Sequence, residues 1–576
     1  MLVRFSPSFR LGPAAWPRLL PQPALLVLAL APLLFIAWGV AANLRNIVYW
    51  DEIDSVLDYL VRLDGQTTWA GWFERLFALH NEHRMLTSRL IFSLLYGLTG
   101  SVNFVVLGLI GNLFLLALCA LLVVRTEGAA RRLRLGVILA LGLFQLQQHE
   151  NFFWSGASID HFQVPLLAAA AFACLLEGTR RGLLGGMLLG FLASFTLAHG
   201  LLVWPVGFVV LAGARRWRAL AGWSAVGLAG GAGYFAGFFV NPQHHFETAR
   251  QSARVLHYWL TLVGASPGQG SLTISPWLGG GFLAGAAWLM CRRDWRDATR
   301  RTPLAVCLVA FCVLALGLIA LGRVGVSAGH PVPSRYYILS SLVWSLGAWI
   351  ALEHLLVRRP HARWLVPATV TAFAAFNLAA DARFGERGEE FADQRERSAL
   401  RFAHFQTLSG SVFPLYPKPE HADPILRAAR ERGIYRVPAR SREVQFENPR
   451  AIEGVSCFLD EVRTNGRSVY VNGWAFAGNR PVKRGDLHVV LWRDDFFRVY
   501  RAVPVRRPDV VTAQGRPDLL YSGFRLRIPS ADLPSGNPYN IGVLFRRGRT
   551  GDYFITDYQV TAPEKTVSAH AQAVAD

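Results

Sequence analysis

The chain has 576 residues, of which 52% are hydrophobic, and its mean hydropathy of +0.28 is too high for an ordinary soluble globule. Its formal charge is +20. The arginines are concentrated in short segments between apolar runs, which indicates membrane topology and argues against nucleic-acid binding. Only one of the six cysteines, Cys457, lies in the polar C-terminal region, so no disulfide framework is expected there.

Apolar runs dominate the first two thirds of the chain and predict about eleven transmembrane helices. Several runs are shorter than a full span, so their boundaries are approximate. The first run is interpreted as an uncleaved helix, with a cleaved signal peptide as the alternative. The runs cover residues 24–42, 102–124, 134–147, 162–177, 182–198, 200–213, 219–240, 276–291, 304–322, 336–356 and 364–380.

The arginine distribution predicts the sidedness of these helices. With the N-terminus inside, each inside segment is short and arginine-rich, beginning with Arg4, Arg10 and Arg18. This agreement requires the run 85–100 to lie along the membrane as an interfacial helix. Eleven crossings then place everything after Ala380 outside.

The first outer loop, residues 43–101, begins with a cluster of acids. A helix continued from residue 51 would place an apolar stripe towards the membrane surface and Asp51, Asp54 and Asp58 on the opposite face. Asp51, Glu52 and Asp54 are the predicted catalytic residues, because a carboxylate beside a span suits a general base or a metal ligand next to phosphate. The alternative is that these acids only stabilise a helix start.

The same loop continues with His80-Asn81-Glu82-His83-Arg84, a mixture of side chains that suits phosphate binding. His80 and His83 are spaced to share a metal on one helical face, but sequence fixes no third ligand. The alternative is a solvated loop that caps the following helix.

Later outer segments add further polar and aromatic candidates. Arg335 and Arg323 flank one loop and are predicted to bind the donor phosphate, with lipid-headgroup contact as the alternative. His330 lies between them, and Asn241, His244 and His245 open another outer loop. The predicted contacts to acceptor or sugar are His149, Glu150, Trp154 and Tyr336.

The polar C-terminal part has three predicted regions. Residues 381–450 form a mixed helical linker with helices near 391–405 and 423–432, and residues 563–576 a disordered tail. Between them, residues 451–562 alternate with period two and predict a small β-sandwich. Its predicted strands lie at 468–475, 487–492, 523–528, 540–545 and 553–560.

This arrangement resembles the GT-C superfamily of polytopic membrane glycosyltransferases, which use polyprenyl-phosphate sugars. Their first helix leads from the cytoplasm to a long outer loop with an acidic motif near its start, where Asp51-Glu52 stands here. Their membrane-surface helices correspond to about 51–62 and 85–100. Many members end in an outer β-rich domain. The topological resemblance covers residues 1–380.

The resemblance implies inverting sugar transfer from a polyprenyl-phosphate donor to a cell-envelope glycan or protein, on the periplasmic face of a bacterial inner membrane. Asp51 would deprotonate the acceptor hydroxyl, and Glu52 or Asp54 would orient the acceptor or a metal. Whether a divalent cation such as Mg²⁺ or Mn²⁺ takes part stays open. The departing phosphate would be stabilised by Arg335, Arg323 or Arg84.

Two alternatives belong to other functional classes. A transporter or flippase of lipid-linked sugars would be expected to carry charged groups inside its helices and internal repeats, and neither pattern stands out. A non-catalytic component of envelope-polysaccharide assembly that presents the β domain remains compatible with the sequence.

Overall fold

Helices make up 66% of the computed structural model, and a β-rich region follows at its C-terminal end. The structure describes residues 22–238, 252–291, 300–327, 332–405, 407–408, 415–436, 444, 446, 448–464, 468–493, 496–529, 533, 538–548 and 550–561. The predicted tail 563–576, the N-terminal arginines, His330 and the group at 241–245 lie outside the described residues.

The chain separates into two compact units. The first comprises residues 1–44, 66–94 and 105–390, and the second residues 45–65, 95–104 and 391–576. The short segment 45–65, which carries the acidic cluster, therefore belongs to the same unit as the C-terminal β region.

Within the described residues, the α-helices up to the β region are α1 (Gln22–Asn43), α2 (Tyr59–Asp64), α3 (Trp69–Phe77), α4 (Leu86–Thr99), α5 (Phe104–Val124), α6 (Ala129–Leu143), α7 (His149–Phe153), α8 (Ser155–Leu176), α9 (Arg180–Ser194), α10 (Val203–Gly213), α11 (Trp217–Phe235), α12 (Ser252–Val263), α13 (Ser275–Met290), α14 (Pro303–Ser327), α15 (Tyr337–Arg358), α16 (Leu365–Phe405) and α17 (Pro419–Glu431). A π-helix, Ile53–Asp58, precedes α2.

Six helical segments of the described chain are long and apolar enough to cross a membrane: Pro23–Asn43, Phe104–Val124, Ser155–Leu176, Pro303–Arg323, Ser334–Arg358 and His361–Ala392. Each coincides with a predicted apolar run. The other five runs also form helices, namely α6, α9, α10, α11 and α13, but these are shorter or less apolar. On α1, Leu26, Val27, Leu30 and Leu34 remain exposed, as expected of a surface that meets lipid.

One element assignment made from sequence was wrong, and two predicted helical segments proved to be continuous. Residues 241–275 were expected to form a loop, but α12 occupies Ser252–Val263. It packs against α13 through glycines, because a Cβ on Gly279 would lie 2.0 Å from the Leu260 carbonyl oxygen. The last apolar run, 364–380, and the helix expected near 391–405 are both helical, and they form one continuous helix, α16, that ends at Phe405.

The β region contains two sheets and confirms the five predicted strands. The strands are β1 (Arg450–Ala451), β2 (Val455–Thr464), β3 (Ser468–Ala477), β4 (Leu487–Arg493), β5 (Phe496–Arg501), β6 (Val503–Val505), β7 (Gly523–Pro529), β8 (Pro538–Arg547) and β9 (Thr550–Thr561). One sheet has the order β1-β9-β8-β4-β5 and the other β2-β3-β7-β6. Residues from both sheets, such as Val471, Leu526, Val489 and Ile541, form one buried cluster. A short helix, α18 (Pro508–Gln514), follows β6.

Candidate functional site

The acidic segment of the second unit begins at a constrained turn and continues as a π-helix. Trp50 has a φ of +50°, which is uncommon for a residue with a side chain. Its amide donates to the carbonyl of Leu415 at 2.6 Å. A π-helix is rare and often marks a functional site. The turn and the π-helix together fix the directions in which the three acids project.

The apolar face of this helix is buried, as the spacing predicted, but its partner differs. Ile53, Val56 and Leu57 are almost fully buried, and the π-helix packs against α17 of the same unit. From the sequence, the expected partner of this face was the membrane surface. The apolar face therefore covers protein.

Glu52 is the most enclosed of the three predicted catalytic acids, with 1% of its surface exposed. Its Oε2 accepts the Tyr49 amide at 2.8 Å. A buried carboxylate is costly unless it is hydrogen-bonded. The contact therefore assigns Glu52 to the turn, where it stabilises the backbone that carries Asp51.

Asp54 is held by two residues of the C-terminal part of the chain. The Tyr416 hydroxyl donates to Oδ2 at 2.5 Å, and His421 Nε2 lies 2.7 Å from Oδ1. The two rings stack with centroids 5.5 Å apart. Burial, followed by the hydrogen bond to Asp54, raises the pKa of Tyr416, so the phenol stays protonated and donates.

Asp51 precedes Asp54 in the chain and takes no part in this hydrogen-bond network. Its side chain is half-buried and, among the described residues, forms no hydrogen bond or ion pair. Its charge also contributes, as the smallest cause, to the raised pKa of Tyr416. Of the three predicted catalytic acids, Asp51 is the one whose lone pairs are available to a ligand.

Sequence reasoning missed Tyr416 and His421. They lie more than 360 positions beyond Asp54, and neither belongs to a recognisable motif. The one available signal was the helix expected near 423–432, whose N-terminal turn carries His421.

The remaining predicted residues belong to the first unit. His80 and His83 do not share a helical face, as their spacing had suggested. Their backbones pair across a tight turn, with N–H···O distances of 2.7 and 2.9 Å, and Asn81 at its corner has a φ of +51°.

His83 is held as a neutral imidazole. Its Nδ1 accepts the amide of Ala198 at 3.2 Å, so the proton sits on Nε2. Burial, with smaller effects from His199, Arg323 and His80, lowers the pKa of His83 to about 3. His83 can therefore donate one neutral N–H group to a ligand at physiological pH.

The guanidinium of Arg84 donates hydrogen bonds to backbone carbonyl groups. Nε and Nη2 donate to the Tyr234 carbonyl at 3.0 and 2.8 Å. Nη1 donates to the Phe77 carbonyl at 2.8 Å, and Nη2 also meets the Ala236 carbonyl. These carbonyls close the C-terminal ends of α3 and α11, where a cation is favourable. The geometry favours a structural role for Arg84 over phosphate binding.

Arg335 lies among three of the predicted contact residues. Glu150 Oε2 accepts its amide at 3.1 Å and its Nη1 at 3.4 Å. The guanidinium lies 5.8 Å from the Trp154 ring centre and 5.3 Å from that of Tyr336. The two rings are themselves buried, so they support the guanidinium more than they offer a face for sugar stacking.

His149 is connected to the same region through the backbone. It is buried, and its Nδ1 lies 3.2 Å from the Leu146 carbonyl and 3.3 Å from the Ser334 hydroxyl. Ser334 in turn donates to the Gln147 carbonyl at 2.7 Å. His149 therefore helps to fix the chain ahead of Arg335.

Arg323, near the C-terminal end of α14, is the least engaged of the predicted phosphate-binding residues. It is half-buried and makes no hydrogen bond or ion pair within the described part of the chain. Its charge acts on the imidazole of His83. A cation without an internal partner in the described part of the chain suits an anionic ligand.

No group of three or more His, Cys, Asp or Glu side chains among the described residues is placed to hold a metal ion. The acids at 51–54 belong to the second unit and Arg323, Arg335 and His83 to the first. No protein-family model, curated protein or solved structure matches this chain.

Proposed function

We propose that this protein is a GT-C-type membrane glycosyltransferase that moves a sugar from a polyprenyl-phosphate donor to a cell-envelope glycan or protein with inversion. The observation that carries the proposal is the Asp51 carboxylate. It has no partner among the described residues, although its neighbours Glu52 and Asp54 are both engaged. A carboxylate held ready in this way suits a general base.

In the proposed reaction Asp51 takes part in the chemical step, and Glu52 and Asp54 have positioning roles. Asp51 removes the proton of the acceptor hydroxyl as that oxygen attacks the anomeric carbon from the face opposite the phosphate. The bond between the anomeric carbon and the phosphate oxygen breaks, and its electron pair leaves with the lipid phosphate. Asp54, held by Tyr416 and His421, and Glu52, held at the turn, position the segment that carries the base.

The leaving phosphate gains negative charge, which cationic and neutral N–H donors would stabilise. Arg323 and Arg335 provide cationic donors, and His83 a neutral Nε2–H group. Trp154 and Tyr336 flank the Arg335 guanidinium, and Glu150 accepts from it. We assign no phosphate contact to Arg84, because its donors are occupied by carbonyl groups.

The proposal includes the topology predicted from the arginines. It comprises about eleven spans in a bacterial inner membrane, a cytoplasmic N-terminus and a periplasmic β domain. The six candidate spans support it, as do the shorter helices at the other five predicted runs. We further propose that the two sheets, which share one buried cluster, pack as a sandwich.

The decisive experiment compares Asp51→Asn with Asp58→Asn in cells that lack the native gene. Asp58 is a matched control, because it ends the π-helix that follows Asp51 and pairs with Arg62 at 2.7 Å. Surface glycans and glycoproteins are measured by mass spectrometry. Loss of a general base is expected to reduce transfer by roughly 10²–10⁴-fold, whereas Asp58→Asn is expected to retain transfer.

Other outcomes would favour the other functional classes. Full transfer by Asp51→Asn at normal expression refutes Asp51 as the base. Movement of a labelled lipid-linked sugar across vesicles without a transfer product indicates a flippase. If deletion of the gene removes the glycan and every point variant of the site restores it, the result indicates an assembly component.

A further inference from the structure

A cavity of about 170 Å³ lies in the first unit, apart from the residues discussed above. It opens where the C-terminal ends of α5 and α8 meet the N-terminal end of α14, and the middle of α15 forms another wall. α5, α8, α14 and α15 are all candidate spans. The cavity therefore lies at a level where membrane-crossing helices end.

The inner wall of the cavity is hydrocarbon. Leu122, Leu135, Leu176 and Leu346 line it together with small residues such as Ala305. An apolar cavity of about 150 Å³ accommodates a ligand of the size of benzene. The space therefore suits a short stretch of alkyl chain and is too small for a lipid-linked sugar head.

The rim of the cavity is cationic. Arg125 is there, paired with Glu177 at 2.6 Å. Arg301 is exposed, and within the described part of the chain its side chain has no hydrogen bond or ion pair. α14, a helix of 25 residues, begins at Pro303 and adds the positive end of its dipole. The rim thus carries one uncompensated arginine next to a helix N-terminus.

A buried donor without an acceptor points independently to a ligand. Trp349 lines the cavity and is only 3% exposed, but its indole Nε1 has no hydrogen-bond partner among the described residues. The guanidinium of Arg131 lies 5.7 Å from the ring centre. Buried indole N–H groups normally find an acceptor, so an acceptor atom is expected inside this cavity.

We propose that the cavity is a binding site for an anionic glycerophospholipid of the membrane. The first carbons of an acyl chain fill the leucine-lined wall, and an ester carbonyl accepts the Trp349 N–H group. The phosphate lies between Arg301 and the start of α14. Free phosphate would leave the apolar wall and the indole unused, and a zwitterionic lipid would gain less from Arg301. The site does not depend on the proposed sugar transfer.

The test measures lipid retention on the full-length protein by native mass spectrometry. Purified protein is titrated with phosphatidylglycerol or with phosphatidylcholine of the same chain length. The wild type is expected to bind one phosphatidylglycerol about tenfold more tightly than phosphatidylcholine. Arg301→Ala is expected to remove most of that preference, and Arg300→Ala, a change at the adjacent exposed arginine, to preserve it.

Two further variants separate the parts of the site. Trp349→Phe is expected to weaken both lipids by a similar factor, because it removes a donor without changing the charge. Ala305→Leu is expected to weaken both by occupying the wall. Equal preference in Arg301→Ala and Arg300→Ala overturns the proposal, as does release of the lipid by millimolar inorganic phosphate. The arginine variants are surface changes and give this result even if Ala305→Leu fails to fold.

Discussion

The contact between Asp54 and Tyr416 gives the sharpest prediction about the acidic segment, because it joins two parts of the chain distant in sequence. Replacing Tyr416 with Phe removes only the donor, and replacing Asp54 with Ala removes the acceptor. If the 2.5 Å hydrogen bond stabilises the segment, the two changes together will cost less than the sum of their separate effects. A double-mutant cycle measures that difference.

The expected coupling follows from charge and exposure. A hydrogen bond to an ionised group contributes about 1.5–3 kcal/mol. Asp54 keeps 21% of its side chain exposed, so we expect about 1.5 kcal/mol, the lower end of that range. The His421 side chain is 51% exposed, and an exposed pair contributes at most about 1 kcal/mol. The parallel cycle of Asp54→Ala with His421→Ala is therefore expected to give about 0.5 kcal/mol.

Native-state hydrogen exchange of the full-length protein provides the assay. Amides of Ile53–Asp58 and of Pro419–Glu431 report the opening free energy of this packed pair of helices. Changes at independent sites add to within about 0.3–0.5 kcal/mol. A Tyr416 coupling inside that margin would refute the assignment of Tyr416 as an anchor of Asp54. A Tyr416 coupling smaller than the His421 coupling would refute the expected ranking of the two contacts.

Three further predictions concern packing and pH. Gly279→Ala is expected to lower the free energy of unfolding by about 1–3 kcal/mol, because its Cβ would strike a backbone carbonyl. Gly285→Ala on the same helix is the control, because a Cβ there meets no described atom within 4 Å. Equal thermal midpoints of the two variants would contradict this prediction. Arg84→Met is expected to cost about 2 kcal/mol by leaving helix-end carbonyls without donors, and an unchanged unfolding midpoint would refute the structural role. Burial lowers the pKa of His488 to about 4, so the unfolded chain binds the proton first as pH falls. The contribution of His488 to stability is then full above pH 6.5 and falls by about 3 kcal/mol towards pH 4. Pulse proteolysis should therefore show a larger loss of stability over this range in the wild type than in His488→Leu.

Much of the fold followed from periodicity, because burial imposes a regular pattern on a sequence. Each apolar run became a helix, and the period-two segments became β3, β4, β7, β8 and β9. β2 escaped notice because its burial does not alternate cleanly, and Leu459 begins a register shift. α12 escaped because it carries polar residues within an amphipathic pattern and is shorter than a span.

The site was less predictable, since its roles depend on partners that sequence does not reveal. The spacing of Ile53, Val56 and Leu57 predicted one buried face correctly, yet the same spacing fits a membrane surface or a neighbouring helix equally well. Similarly, the acids at 51–54 look alike in sequence. Only the contacts of Tyr49, Tyr416 and His421 separate an occupied carboxylate from an available one.

Arginines show most clearly how contacts decide function. Arg84 gives its donors to carbonyl oxygens that a helix end leaves unsatisfied, and Arg131 and Arg134 give theirs to Glu353. The N–H donors of these guanidinium groups are already occupied, so fewer of them remain to bind a ligand. Arg323 makes no such contact among the described residues. Its positive charge is one of the causes that lower the pKa of His83, and the low pKa keeps that imidazole neutral. An anion that enters beside these two residues gains a cation and a fixed neutral donor without displacing an internal carboxylate. That difference, rather than proximity in sequence, is why the phosphate of the proposed donor is assigned to Arg323 ahead of Arg84.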